Sequence, residues 1–291
     1  MQQSPVTDYF LKQPRFQVNS ASIVTFLVVA FIAWEINIFG ESVFPSLHWF
    51  PYLIRTTITV LADFLLFFIS IRLLEKNQVP VEALGLAPKV MFPNVLFGFV
   101  IGVVSLALIE GLLYTVAPYT FRHGPLHGTM VLQEACSYCV GNSLEELMFR
   151  GFLLVILSRF AGWRIAILVM AFLFGLFHLQ GSGISLAGWR MAASTAIYSF
   201  VFSLSYILTG SIWTAISAHV TSNILLHALF GLDGMHRAMF VQVFTKSSPK
   251  HDLGVWALII GSLVISYSLY LTVSLKFKKT AELRGLPGES P

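Results

Sequence analysis

The chain has 291 residues, of which 56% are hydrophobic and only 11% charged, with a formal net charge of +4 and a mean hydropathy of +0.77. A soluble domain carries about 25% charged residues, so a water-soluble globular protein is excluded and an integral membrane protein is expected. The small positive balance forms no basic block, which excludes a nucleic-acid-binding arm and leaves a lipid bilayer as the natural anionic neighbour.

A helix needs about 20 apolar residues to cross a bilayer. Eight such stretches follow one another, at about 21–39, 53–74, 93–116, 133–157, 164–180, 190–208, 211–230 and 253–275. The expected fold is therefore all-α, a polytopic transmembrane helical bundle of about eight spans. Residues 1–20 form a cytoplasmic N-terminal segment, 21–275 the membrane domain and 276–291 a cytoplasmic basic tail. Lys12 and Arg15 precede the first apolar run, and no A-x-A-like cleavage site closes it, so that run is a span rather than a signal peptide. Met1-Gln2 lacks a myristoylation glycine, and Gly288-Glu289-Ser290-Pro291 is not a prenylation box.

The third span carries Gly98 and Gly102, a G-x-x-x-G that lets two helix backbones approach closely. Ala192, Ala196, Ser199 and Ser203 form a similar small-residue stripe on the sixth. Thr209-Gly210 alone separates the sixth and seventh spans, which makes a tight helical hairpin. The only cysteines, Cys136 and Cys139, lack a second pair with which to complete a zinc site and read as small packing residues.

Orientation follows the Lys and Arg of the loops. With the N-terminus inside, inner segments hold Lys12, Arg15, Arg72, Lys76, Lys89, Arg159, Arg164, Lys276, Lys278, Lys279 and Arg284. Outer segments hold only Arg55, Arg122, Arg190, Arg237, Lys246 and Lys250. Both termini are expected in the cytoplasm, and the short loops point to a bacterial plasma (inner) membrane.

Three polar clusters interrupt the later spans. Glu145-Glu146 and Arg150 lie in the fourth, where one ionisable group at the bilayer centre costs roughly 2.5–3.5 kcal/mol. Glu146 and Arg150 are four apart, so they stack on one helix face and pair. Glu145 is rotated away and left for other work. A partly buried carboxylate suits a general base or acid; the alternative is a polar cluster that glues helices together. Phe174 and His178 end the fifth span. His219 and Asn223 share one face of the seventh, where an imidazole and a carboxamide can donate to a developing oxyanion or simply bridge helices.

The ordered set Glu145-Glu146…Arg150, Phe174…His178 and His219…Asn223 resembles the CAAX-protease and bacteriocin-processing family of intramembrane proteases, which includes the Ras-converting CAAX prenyl endopeptidases. The resemblance covers roughly 130–230. It implies a bundle with a water-filled cavity and endopeptidase activity near the C-terminus of a membrane-anchored or lipidated protein or peptide. It further implies that Glu145, assisted by His178, activates water and that His219 and Asn223 hold the scissile carbonyl oxygen. Glu146 and Arg150 would be the supporting pair.

No cofactor is favoured. Zinc is the alternative, with Glu145, His178 and His219 as ligands, although the H-E-x-x-H signature is absent. Asn142 and Trp189 are further cleft-lining candidates outside the site set. Asp63, Glu35 and Glu110 read as structural, the last two near enough to span ends to reach water. Gly183-Ile184-Ser185 lies in a loop and Gly231-Leu232-Asp233 falls short of G-x-G-D, which disfavours serine and aspartyl intramembrane proteases. Two other functions fit the composition: a protease removing C-terminal sorting signals on the outer face, and a non-proteolytic transporter or peptide-toxin immunity protein.

Overall fold

Apolar stretches that exceed a bilayer's thickness can satisfy their backbone only as helices, and helices account for most of the described residues. The computed structural model describes residues 20–43, 50–182, 184–231, 238–244 and 250–283. The terminal segments, the side chains of Glu35 and Asp63, and Gly183, Leu232 and Asp233 lie outside the described set.

The helices are α1 (Ser20–Val43), α2 (Phe50–Lys76), α3 (Pro88–Val116), α4 (Gly128–Glu146), α5 (Leu154–Ala161), α6 (Trp163–Ser182), α7 (Leu186–Thr209), α8 (Ile212–Asn223) and α9 (Lys250–Leu283). A π-helical stretch, Leu147–Leu153, joins α4 to α5 in one rod, and a second, Ile224–Leu229, extends α8. Each of the eight sequence-predicted stretches thus falls on one rod. Three helical segments among the described residues are long and apolar enough to cross a membrane: Val81–Val116, Leu186–Thr209 and Leu253–Glu282. Ser20–Ile32 and Trp163–Leu179 are apolar but shorter. The protein is an integral membrane protein on this basis. The rods of α4 and α8 miss that criterion for a physical reason: they hold the polar residues of the bundle interior, where lipid does not reach.

Side-chain size sets the closest helix contacts. A Cβ on Gly98 would sit 2.8 Å from Ser217 Cβ and closer still to the Thr214 carbonyl oxygen, and one on Gly102 would sit 2.7 Å from Thr221 Cβ. The G-x-x-x-G therefore seats α3 against α8, as its spacing predicts. Gly175 of α6 meets Ala192 and Ala196 of α7 in the same way. Gly210, with φ +68°, closes α7 and turns the chain straight into α8; this left-handed conformation favours glycine. Ser185 caps α7 by accepting the Gly188 N–H at 3.0 Å.

One element departs from the all-α expectation. Strands β1 (Tyr119–His123) and β2 (Phe240–Phe244) pair antiparallel, with Phe121 opposite Gln242. Glu110, at the end of α3, accepts hydrogen bonds from Tyr119 Oη and from Gln242 Nε2, the latter at 2.7 Å. It does not simply reach water. Burial, reinforced by the Glu110 carboxylate, pushes the Tyr119 phenol above its ordinary pKa. The two-stranded sheet is also tied to the end of the second π stretch, where the Met239 N–H donates to the Ala228 carbonyl at 2.9 Å.

Candidate active site

The two π-helical stretches begin immediately after the two sets of motif residues. Glu145 and Glu146 are the last residues of α4 before Leu147–Leu153, and Asn223 is the last of α8 before Ile224–Leu229. A π turn widens the helix and redirects the side chains around it, and such turns recur at functional sites. Here they sit on the two helices that supply the carboxylates and the imidazole–amide pair.

Arg150 is completely buried. Its Nη1 donates to Glu146 Oε1 at 2.9 Å, the pairing that the four-residue spacing predicts. Its Nε donates to Ser203 Oγ at 3.3 Å, and its Nη2 to the Ser199 carbonyl at 3.1 Å and to Ser199 Oγ. The guanidinium also lies over the Phe174 ring, 4.6 Å from its centroid, and 5.2 Å from that of Phe202. Ser199 and Ser203 read as packing residues in the sequence; in the structure they are Arg150's acceptors.

Glu146 has a second partner. His219 Nδ1 donates to the same Oε1 at 2.8 Å. A carboxylate only accepts, so Nδ1 carries the proton and Nε2 is the nitrogen turned to the remaining chemistry. That Nε2 lies 3.9 Å from Glu145 Oε2. The imidazole is stacked on Phe202, with centroids 4.4 Å apart. Asn223, one turn further along α8, donates from Nδ2 to Asn142 Oδ1 at 3.2 Å. Two rungs therefore join α4 and α8 antiparallel: Glu146 to His219 and Asn142 to Asn223.

His178 is held by its own helix. Its Nδ1 donates to the Phe174 carbonyl at 2.8 Å, and its ring lies 4.6 Å from that of Phe174. Phe174 thus orients His178 through its backbone while its ring covers Arg150.

Three buried polar atoms in this cluster have no hydrogen-bond partner among the described residues: Glu145 Oε2, Glu146 Oε2 and Asn142 Nδ2. Leaving such an atom unsatisfied costs about 1–3 kcal/mol, more when it is charged. All three belong to the segment 142–146 of α4, where polar atoms from outside the chain would satisfy them. Glu145 Oε2 and His219 Nε2 are close enough to share a metal, but a catalytic zinc takes three protein ligands. Among the described residues no three His, Cys, Asp or Glu side chains form a group that could hold a metal ion.

Of the motif residues, Glu145, Glu146, Arg150 and His219 come together directly. Asn223 joins through the second rung, and His178 through Phe174, whose ring covers Arg150. Trp189 lies elsewhere: with Arg190, Val255 and Trp256 it lines a cavity of about 280 Å³ between α7 and α9. Cys136 and Cys139 are free and exposed on α4.

Residues 128–225 match the family model described as Type II CAAX prenyl endopeptidase Rce1-like. Over this segment the chain is similar to the CAAX-protease family. The segment runs from the first residue of α4 through Asn223 and so contains every residue of the cluster. No curated protein matches the chain. The Rce1-like match and the apolar helices together support a CAAX-type membrane protease, a class that implies a bilayer and a membrane-associated protein substrate.

Proposed function

We propose that the protein is an intramembrane endopeptidase that cleaves near the C-terminus of a membrane-anchored or lipidated protein or peptide, using water activated by Glu145. The observation that carries this reading is the division of labour between the two glutamates. Glu146 is spent on Arg150 and His219, whereas Glu145 keeps a buried oxygen with no partner beside His219 Nε2.

In this reaction Glu145 takes a proton from a water held between it and His178 Nε2. The water oxygen bonds to the scissile carbonyl carbon, and the carbonyl π electrons move onto oxygen. Asn223 donates to that oxyanion. His219 donates through Nε2 in its imidazolium form, which Glu146 stabilises at Nδ1, much as an aspartate supports the histidine of a serine-protease triad. Collapse breaks the C–N bond, and the leaving amine takes the proton back from Glu145. Removing one oxyanion donor in such sites typically costs 10²–10³ in kcat.

The chemistry uses protein groups and water. If zinc on Glu145, His178 and His219 were required instead, prolonged chelation would abolish activity and zinc would restore it. The proposed setting is a bundle of about eight spans in a bacterial plasma membrane with both termini cytoplasmic, supported by the loop-charge bias.

The test compares protein C-termini by mass spectrometry in membranes containing wild-type protein or Glu145→Gln at matched abundance. The substitution keeps volume and removes the base. A defined set of C-termini produced only by the wild type supports the reading. Identical profiles from two folded proteins reject it and favour a transporter or peptide-toxin immunity protein.

A further inference from the structure

Asn142 belongs to no motif on which the family resemblance rests, yet it sits inside the cluster. It is 4% exposed, one helical turn before Glu146 and three residues before Glu145. Its Oδ1 accepts from Asn223 Nδ2, and its own Nδ2 is buried with no partner among the described residues. Fixing Asn223 accounts for the oxygen of this amide, while its buried Nδ2 calls for an acceptor that arrives from outside. The assignment of oxygen and nitrogen does not alter this. If both amides were flipped, Asn142 would donate to Asn223 and still hold one N–H in excess.

Protonation separates the donors further. His219 commits Nδ1–H to Glu146, so it donates through Nε2 only when doubly protonated. Carboxamides donate in every protonation state of the site. The acceptor that appears beside Glu145 in the proposed reaction is the scissile carbonyl oxygen.

We infer that Asn142 is a further oxyanion donor, and that the oxyanion cradle of this chain is the buried amide pair Asn142–Asn223 laid across α4 and α8. The inference rests on the protease reading above. The pair explains why both residues are kept polar at adjacent positions of two facing helices, one turn from the Glu146–His219 rung. Asn223 is fixed by Asn142 Oδ1, and Asn142 in turn presents its NH₂ group to the substrate.

The experiment uses the full-length protein in lipid nanodiscs, an internally quenched farnesylated C-terminal tail peptide as substrate, and a phosphinate analogue of that peptide as a tetrahedral mimic. Asn142→Leu is expected to lower kcat by about 10²–10³, to leave KM nearly unchanged, and to weaken phosphinate binding by the same factor as kcat/KM. Asn142→Ser, which keeps a donor, is expected to recover part of both; it also carries the test should the leucine variant fold poorly. Wild-type kcat in Asn142→Leu overturns the inference. So does a fall in kcat with phosphinate affinity intact, because that is the signature of a packing role. Full activity of Glu145→Gln would instead reject the protease reading itself. An inactive Glu145→Gln beside a fully active Asn142→Leu rejects only the role of Asn142.

Discussion

Arg150 keeps a full charge in the interior because every face of its guanidinium is met: Glu146 and two serines at its edges, Phe174 and Phe202 over its plane. Lysine has neither the planar fork nor the stacking face to replace it. Removing one partner of such a buried pair strands the other and costs about 3–5 kcal/mol. Arg150→Lys and Arg150→Met are therefore expected to lower the thermal unfolding midpoint measured in detergent by intrinsic fluorescence. Arg150→Met combined with Glu146→Leu should recover much of that stability while remaining inactive, since His219 Nδ1 then has no acceptor. Recovery of activity in the double variant would show that Glu146 does not act through His219. The Glu146–Arg150 pair was legible in the sequence because i,i+4 spacing fixes a shared face whatever surrounds it. The partner of His219 was not: spacing shows that His219 and Asn223 face the same way, but not which glutamate they face. Ser199 and Ser203 were read as packing residues because a small polar side chain gives no sign of the charge it will meet.

At the scale of elements, the helical rods among the described residues were legible because hydropathy alone specifies them, and the close-packing face of α3 because G-x-x-x-G names a surface where backbones meet, though not that α8 is the helix it meets. The π stretches left no signal, since they depend on how α4 and α8 pack rather than on local composition. The five-residue strands were too short to stand out from loop sequence. The α3–α8 seat gives a direct test. Gly98 faces Thr214 and Ser217, and Gly102 faces Thr221, on the helix that presents His219 and Asn223 inward. A methyl group there must push α8 away, and overpacking of this kind costs about 1–3 kcal/mol. Gly98→Ala and Gly102→Ala are expected to cut turnover of the tail peptide at least tenfold, because a displacement near 1 Å suffices to misalign catalytic groups. Gly111→Ala on the same helix, with nothing within 4 Å of its Cβ, should be neutral. Equal effects at all three positions would show that α3 does not position the site.

Over the whole molecule, two kinds of exposed surface can be told apart. Phe64, Phe68, Phe92, Phe99, Leu263, Tyr267 and Leu275 stand outward on α2, α3 and α9, as lipid-facing residues do. The exposed first half of α4 differs, carrying Gln133, Glu134 and Ser137 alongside Cys136 and Cys139. Polar side chains facing hydrocarbon are costly, so the polar face of this half of α4 borders water, while Leu144, Glu145 and Glu146 at the far end of the helix are buried. On the protease reading, that face is the path by which water and an extended peptide reach the carboxylates. The two cysteines on it are the only ones in the chain, so they report on the path without engineering. With the N-terminus inside, α4 enters from the outer face. A membrane-impermeant maleimide added to intact cells is then expected to label Cys136 and Cys139, and excess farnesylated tail peptide should slow that labelling. Labelling that needs permeabilised cells would invert the orientation drawn from loop charge. Labelling only by membrane-permeant reagents, in any preparation, would place this half of α4 against lipid and remove the aqueous route.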